Sequence, residues 1–461
     1  MKSRWFEIAA LSGALVVGFH ILFQRLKQQR TPDRKGSVLH AQAPDRLLDT
    51  EASPPLQLPL DLLLEILARS DPATVARCAA TCRLLRRHVA DPAFLRRLRA
   101  AAAITTSDHR FLIGLLYHRG RSSSHGDMGT RPPPLLKSSS GSLTNAVIAS
   151  LSGELAGPDD PVASGGGLLV LRRGNKHYPT TTTLRVFDPV AGRGHVLPPR
   201  DIWDHLLLVM PDEDEPGALG GGGDINFKVF IADRDLRTQT YSSKAGAWGP
   251  VVRGNTTAAC LRVPGDYELV QPWSPVVLGN VAHWLYHHGW DPGVYSILAL
   301  GIIGIGKGQA AWIDVSRECH RRRRDTHREV CRELLLVSTS DDGELALLVW
   351  ERPLKVSMWT MSSSSSSQRS WTRRVLIDRT AILGSVQPTC HPLWCQRVEF
   401  QWFAQGSGTV VFYMNSVGVV LLNLRTLEVR HLQRLPLELF DKVSPLCVYE
   451  LDMVPLLLSL R

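Results

Sequence analysis

The apolar positions of this 461-residue chain follow two different periods, which change over near residue 160. Between Leu58 and Leu98 they recur every three or four residues. Leu62, Leu63, Ile66 and Leu67 form one such set, and Val75, Cys78, Ala79 and Cys82 form a second at i, i+3, i+4, i+7. That spacing puts side chains on one face of an α-helix. Leu85, Val89, Phe94, Leu95 and Leu98 continue the apolar set. Three short helices are predicted, each with a start signal. Pro59 fits the first helical position, where its missing N–H costs nothing. Asp71-Pro72 and Asp91-Pro92 each join an N-capping aspartate to a proline.

Beyond residue 160 the pattern is one of short strands between turns. Strands are predicted at Leu168–Leu171, Leu184–Phe187, Phe227–Ile231, Thr238–Tyr241, Val276–Leu278, His283–Tyr286, Ile297–Leu300, Leu334–Ser338, Leu345–Trp350, Lys355–Met361, Val410–Tyr413 and Gly418–Leu422. Asp188-Pro189, Gly279-Asn280, Asp341-Asp342-Gly343 and Asn415-Ser416 supply turns between them. Many short antiparallel strands over some three hundred residues imply sandwiches or a propeller. A loosely recurring theme favours the propeller: Phe187-Asp188-Pro189 leading to Leu197-Pro198-Pro199, echoed at Asn423–Glu428, and Tyr241-Ser242-Ser243 leading to Trp248, echoed at Trp359 through Trp371. Its uneven spacing is that of blades with loops of varying length, and it does not yield a blade count. Phe111–Tyr117 is a short apolar run, and the Ser/Gly/Pro-rich tract Ser122–Ser142 reads as an exposed loop. Gly217–Gly223 and Ser362–Ser367 read as loop insertions.

The helical stretch is about forty residues long, and a unit that small rarely stabilises itself. It holds more leucine than three short helices can hide. Either it completes its core against a partner, or it packs as an N-terminal lobe on the rest of the chain. Pattern alone leaves both open.

Ahead of it, Ile8–Phe23 is a nearly unbroken apolar run, flanked by Lys2 and Arg4 and by Arg25, Lys27 and Arg30. It falls short of the roughly twenty residues a bilayer-spanning helix needs unless Trp5–Glu7 are counted. No small-residue cleavage site follows, which argues against a removed signal. Membrane anchor, plain extension and organelle targeting stay open. As an anchor, its heavier basic flank would keep the helical stretch cytosolic.

The length suits two or three domains, and the apolar content excludes wholesale disorder. The net charge of +10 draws much on arginine runs at 83–99 and 317–332. A nucleic-acid site would interleave such runs with aromatics, and neither does, so no nucleic-acid partner is expected. They read as solvated faces or as sites for an acidic partner surface. The eight scattered cysteines imply no disulfide framework and fit a reducing compartment.

Candidate chemistry is sparse. Cys319, His320, His327 and Cys331 match no common zinc spacing and read as part of a charged loop. His283, His287 and His288 near Trp284 and Trp290 read as strand and turn histidines. Gly301–Gly308 lacks the Lys-Ser/Thr ending of a phosphate loop, and Asp212–Glu215 read as solvated. No catalytic site, metal or cofactor is expected.

The helical stretch resembles an F-box. The matching residues are Leu58-Pro59, then Leu62-Leu63-Glu65-Ile66-Leu67, Asp71–Thr74, Arg77-Cys78, Cys82-Arg83, Val89 and Asp91-Pro92-Phe94. Where many F-boxes place a tryptophan, this chain has Leu85. Residues 187–199, 241–248, 279–285 and 345–350 are similar, in that order, to recurring segments of the F-box-associated β-propeller of plant F-box proteins. The resemblance implies an α+β multidomain chain: a small three-helix F-box at 54–98 and a mostly-β, propeller-type recognition domain at 161–440. Around these lie an N-terminal apolar segment and linker at 1–45, a linker with loops at 99–160, and a C-terminal segment at 441–461. It also implies a non-catalytic substrate receptor of a Skp-cullin-F-box ubiquitin ligase, cytoplasmic or nuclear, whose partners are the Skp-type adaptor, through it the cullin, and an unidentified protein target. The implied adaptor contacts are Leu58, Pro59, Leu62, Leu63, Ile66, Leu67, Val75, Cys78, Cys82, Leu85, Val89, Pro92 and Phe94. The competing expectation is a propeller-type enzyme or ligand-binding protein whose N-terminal helices are only a packed lobe.

Overall fold

The computed structural model describes residues 59–70, single positions and short runs between 75 and 97, strands at 110–117 and 135–138, and most of 159–452 outside the longer interstrand loops. The segment 1–45, with its apolar run, lies outside the described residues, among which no helix is long and apolar enough to cross a membrane. Also outside them are Asp71-Pro72, Asp212–Glu215, Gly217–Gly223 and most of the run 317–332.

Helix α1 spans Leu60–Arg69 and α2 spans Arg83–Val89. Pro59 is the N-cap of α1, one residue earlier than its spacing predicts. Its carbonyl accepts the Leu63 N–H at 3.1 Å and so opens the helix, a role that needs no N–H of its own. The capping reading of Asp91 holds: its Oδ1 accepts the Ala93 N–H at 2.7 Å ahead of the helical Ala93 and Phe94.

The rest is β-structure. β1 (Arg110–Tyr117) and β2 (Leu135–Ser138) come first. Five sheets then follow in chain order. The first contains β3 (Asp160–Gly165), β4 (Leu168–Arg173), β5 (Thr183–Asp188) and β6 (Arg193–Val196). The second contains β7 (Leu206–Pro211), β8 (Phe227–Ala232) and β9 (Arg237–Ser242), with the two-residue β10 (Ala247–Trp248) and β11 (Val252–Arg253) both on β9. The third contains β12 (Asn255–Thr256), β13 (Tyr267–Leu269), β14 (Val276–Leu278), β15 (Val281–His288), β16 (Tyr295–Gly301) and β17 (Gln309–Asp314). The fourth contains β18 (Leu334–Ser338), β19 (Leu345–Glu351), β20 (Lys355–Ser362) and β21 (Ser370–Ile377). Helix α3 (Arg379–Val386), N-capped by Asp378, leads to the fifth sheet: β22 (Val398–Ala404), β23 (Thr409–Met414), β24 (Gly418–Asn423) and β25 (Val429–Gln433). β26 (Cys447–Asp452) ends the strand list.

Alternation along β7 shows how the sheets stack. Leu207 and Val209 pack with Val162, Val170 and Val186 of the first sheet, while Leu206 and Leu208 pack with Trp284, Tyr286 and Leu298 of the third. Each such sheet is apolar on both faces because it lies between two others, the arrangement of a β-propeller. The third, fourth and fifth sheets share one continuous core through Ile297, Trp350 and Phe412. Gly165 lets β3 approach β7 closely: a Cβ there would stand 2.4 Å from the Val209 carbonyl oxygen.

β26 pairs with β1, which pairs with β2 in turn. This three-stranded sheet stands between the first and fifth sheets. Tyr449 donates from its hydroxyl to the Gly167 carbonyl at 2.8 Å, and Ser164 donates to the Val448 carbonyl. On the other side Glu450 accepts the N–H groups of Gly406 at 3.0 Å and Ser407 at 2.7 Å. The same β22–β23 turn reaches the third sheet, where Gln405 accepts the Val277 N–H at 2.9 Å and donates to the Val277 carbonyl. Strands thus lie on both sides of 161–440. Part of 99–160 and part of 441–461, expected as linker and tail, make the closing sheet. β2 falls within Ser122–Ser142, expected as an exposed loop. Its pairing along β1, rather than any alternation of its own, makes it a strand.

Candidate functional site

The helical unit divides its apolar residues into two groups. Leu67, Val75, Ala79, Leu85, Val89, Ala90 and Phe94 are buried by the chain itself, Val75 and Val89 completely. Polar contacts hold the helices together around them. The Arg86 guanidinium donates to the Ala79 carbonyl at 3.1 Å, and Arg97 forms an ion pair with Glu65 of α1. Arg83, Arg87 and Arg97 are exposed, as the solvated-face reading of this run has it, whereas Arg86 is half-buried and serves the packing of the helices.

The second group faces outward. Leu62 on α1 is 51% exposed and Leu84 on α2 is 56% exposed. They are two of the five large apolar side chains that stand exposed among the described residues; the other three are valines. Leu60, Leu63, Leu64 and Ile66 are half-buried. α1 thus carries apolar residues around most of its circumference, whereas a helix finished by its own chain needs only one stripe.

The expected adaptor contacts fall on both sides of this partition. Leu67, Val75, Leu85, Val89 and Phe94 are packing residues of the unit, because side chains this buried have almost no surface left to offer a partner. Leu62 is open, Pro59 is exposed, and Leu63, Ile66 and Cys78 are half-buried. Leu58, Cys82 and Pro92 lie outside the described residues. Leu84, exposed on α2, was not singled out by spacing. Its signal is position: it is apolar yet lies beside the buried Leu85–Val89 stripe rather than on it.

The β-domain's candidate groups are not brought together. His283 and His287 lie on one face of β15, and His288 lies on the other with Trp284 and Tyr286. Buried His283 hydrogen-bonds the Val276 carbonyl at 3.1 Å, and burial holds its pKa below the ordinary histidine value despite backbone hydrogen bonds that raise it. His287 meets Glu268 of β13 at 3.3 Å, and His288 packs edge-on to the Tyr267 ring. Cys319 is buried, which pushes its thiol up to about 12, far from a reactive thiolate. His320, His327 and Cys331 lie outside the described residues, among which no group of three or more metal-ligating side chains occurs.

Fold and site together define a chain with an F-box-like helical unit followed by a β-propeller, the organisation of an F-box substrate-receptor type of protein. An F-box-like family model matches residues 55–100. The family described as a domain of unknown function, DUF7595, matches residues 140–461, more than two thirds of the chain, and the chain belongs to that family. No protein with a curated description matches it. Among solved structures it is similar to a puromycin hydrolase at 13% identity and a TM-score of 0.35, over 62% of this chain and 40% of that one. A Mycobacterium tuberculosis puromycin-hydrolysing peptidase gives 11% and 0.32 over 60% and 38%. The WD40 domain of SCAP from fission yeast gives 10% and 0.27 over 60% and 52%. The chain spans about two fifths of the length of the hydrolase and peptidase. Likeness this low carries nothing about activity.

Proposed function

We propose that this chain is a substrate-receptor subunit of a Skp-cullin-F-box ubiquitin ligase, acting in the cytosol or nucleus. Its helical unit docks the Skp adaptor and, through it, the cullin. Its propeller binds the protein to be modified. The observation that carries the reading is the exposure of Leu62 and Leu84 on a unit whose own core is already filled. The packed-lobe alternative requires leucines closed off by the rest of the chain, so open ones weigh against it. Fully covering an exposed leucine gains about 1.5–3 kcal/mol; these two are about half exposed, so together they contribute about that much, roughly a tenfold or greater change in affinity. The chain then contributes proximity, not a reacting side chain: holding the target near the charged enzyme raises the effective concentration of its lysines.

Retention of the full-length protein on immobilised Skp adaptor tests this. Wild type should be retained, Leu62→Asp and Leu63→Asp should be lost, and Leu84→Asp should weaken retention at least tenfold. A wild-type chain that fails to bind, where a known receptor binds, overturns the proposal.

A further inference from the structure

The geometry points to β21 as a docking edge for an extended acidic peptide, which would add to the fourth sheet as a new outer strand. The inference deepens the receptor reading and rests on it only in calling the peptide part of a target.

The outer strands of the sheets differ in how they are closed off. β6 and β2 are four residues long, and β10 and β11 are two each. β17 carries β12 along its outer side, and α3 lies beside the five-residue β25. β21 has eight residues and is the last strand of its sheet, with no strand on its far side among the described residues. Thr372, Arg373, Arg374 and Val375 form a continuous exposed run along it. A strand that long presents about four outward-facing backbone N–H and C=O pairs, the template that strand addition uses.

Charge selects the occupant. Arg373 is anchored to Glu351 through two hydrogen bonds, at 2.9 and 2.5 Å, while its neighbour Arg374 points to the opposite face of the pleat and is exposed. Both lie at the middle of the strand. A second copy of this chain pairing antiparallel about Arg373 or Arg374 would set that arginine against its own counterpart on the same face, and like charges directly opposite each other disfavour pairing. An acidic strand meets the exposed Arg374 with favourable sign, since Arg373 is already matched by Glu351. Exposed Val375 offers an apolar contact on the Arg373 face. The edge is thus guarded against its own kind and open to a partner of opposite charge.

The test uses the full-length protein and a capped ten-residue peptide of alternating Glu and Val, with binding followed by fluorescence anisotropy. Two control peptides replace Glu by Lys or N-methylate alternate backbone amides. The acidic peptide should bind, more weakly at high salt, and both controls should fail. Arg374→Glu should weaken binding about five- to tenfold while leaving the melting temperature unchanged. Equal binding of the N-methylated peptide, indifference to Arg374→Glu, no binding of the acidic peptide, or dimerisation of the protein through this edge would each overturn the inference. Adaptor retention read in parallel separates the two proposals: a silent peptide with the adaptor retained removes only the docking edge, and a bound peptide with the adaptor lost removes only the ligase role.

Discussion

The helical unit and the propeller solve the same problem, covering apolar surface, at different scales. The unit fills a small core with Val75, Leu85, Val89 and Phe94 and leaves Leu62 and Leu84 outside. The propeller has five sheets to stack, and each covers its neighbours on both faces, so that Trp284, Trp350, Phe230 and Phe412 are all fully buried. Its exposed large apolar side chains among the described residues are single valines. A surface that grows more slowly than volume explains the contrast: a stretch of about forty residues cannot enclose all its leucines, and a domain several times longer can. The two regions therefore offer partners different handles. The small one presents apolar area, and the large one presents backbone edges and charge.

The largest effect expected from this contrast separates Val89 from Leu62. Val89→Asp buries an unpaired charge in the unit's core and should cost about 3–5 kcal/mol, melting these helices within the intact chain. Limited proteolysis between residues 59 and 97 would show it. Leu62→Asp should leave that region protected while abolishing adaptor retention. Equal proteolysis in the two variants would erase the distinction between core and open face. A smaller effect belongs to the ring. Glu450→Gln removes the charge that receives the Gly406 and Ser407 N–H groups and should cost about 1–2 kcal/mol, lowering the melting temperature without touching adaptor binding.

The smallest effect is set by pH. Burial holds His283 below its ordinary pKa, so the folded protein binds this proton less readily than the unfolded chain does. Stability from the neutral imidazole is present above the unfolded value of about 6.5 and is lost as pH falls below it. Differential scanning calorimetry should show the propeller transition moving down between pH 7.5 and 5.5, and moving less in His283→Asn. Adaptor retention should not follow that change.

Much of this architecture was legible in the sequence, and most of the gaps have physical causes. Val276–Leu278 and Leu334–Ser338 were predicted to the residue, and Gly279 and Gly343 adopt the positive φ their turns require. The Asn423–Glu428 theme proves to be a side-chain-built turn, with Asn423 Oδ1 accepting the Arg425 and Thr426 N–H groups at 2.9 Å each. β7 was not predicted, although Leu206–Met210 is a continuous apolar run of the same kind as Leu168–Leu171, which was. β26 was invisible because its partner lies more than three hundred residues earlier, and no local pattern reports such a pairing. At the candidate site the helices were readable from spacing. Which leucines face outward was not, because an apolar helix with residues all round gives no stripe to follow.

The junction of β26 with β1 has a consequence for synthesis. The helical unit leaves the ribosome complete long before Cys447–Asp452 emerges to finish the sheet that Arg110–Tyr117 began. On the proposed receptor role, a message with a premature stop anywhere in that interval would yield a polypeptide able to occupy the adaptor while lacking the sheet that joins the first and fifth sheets. Such a fragment would act as a poison of the wild-type product, so nonsense alleles downstream of the helices should be dominant and those upstream recessive.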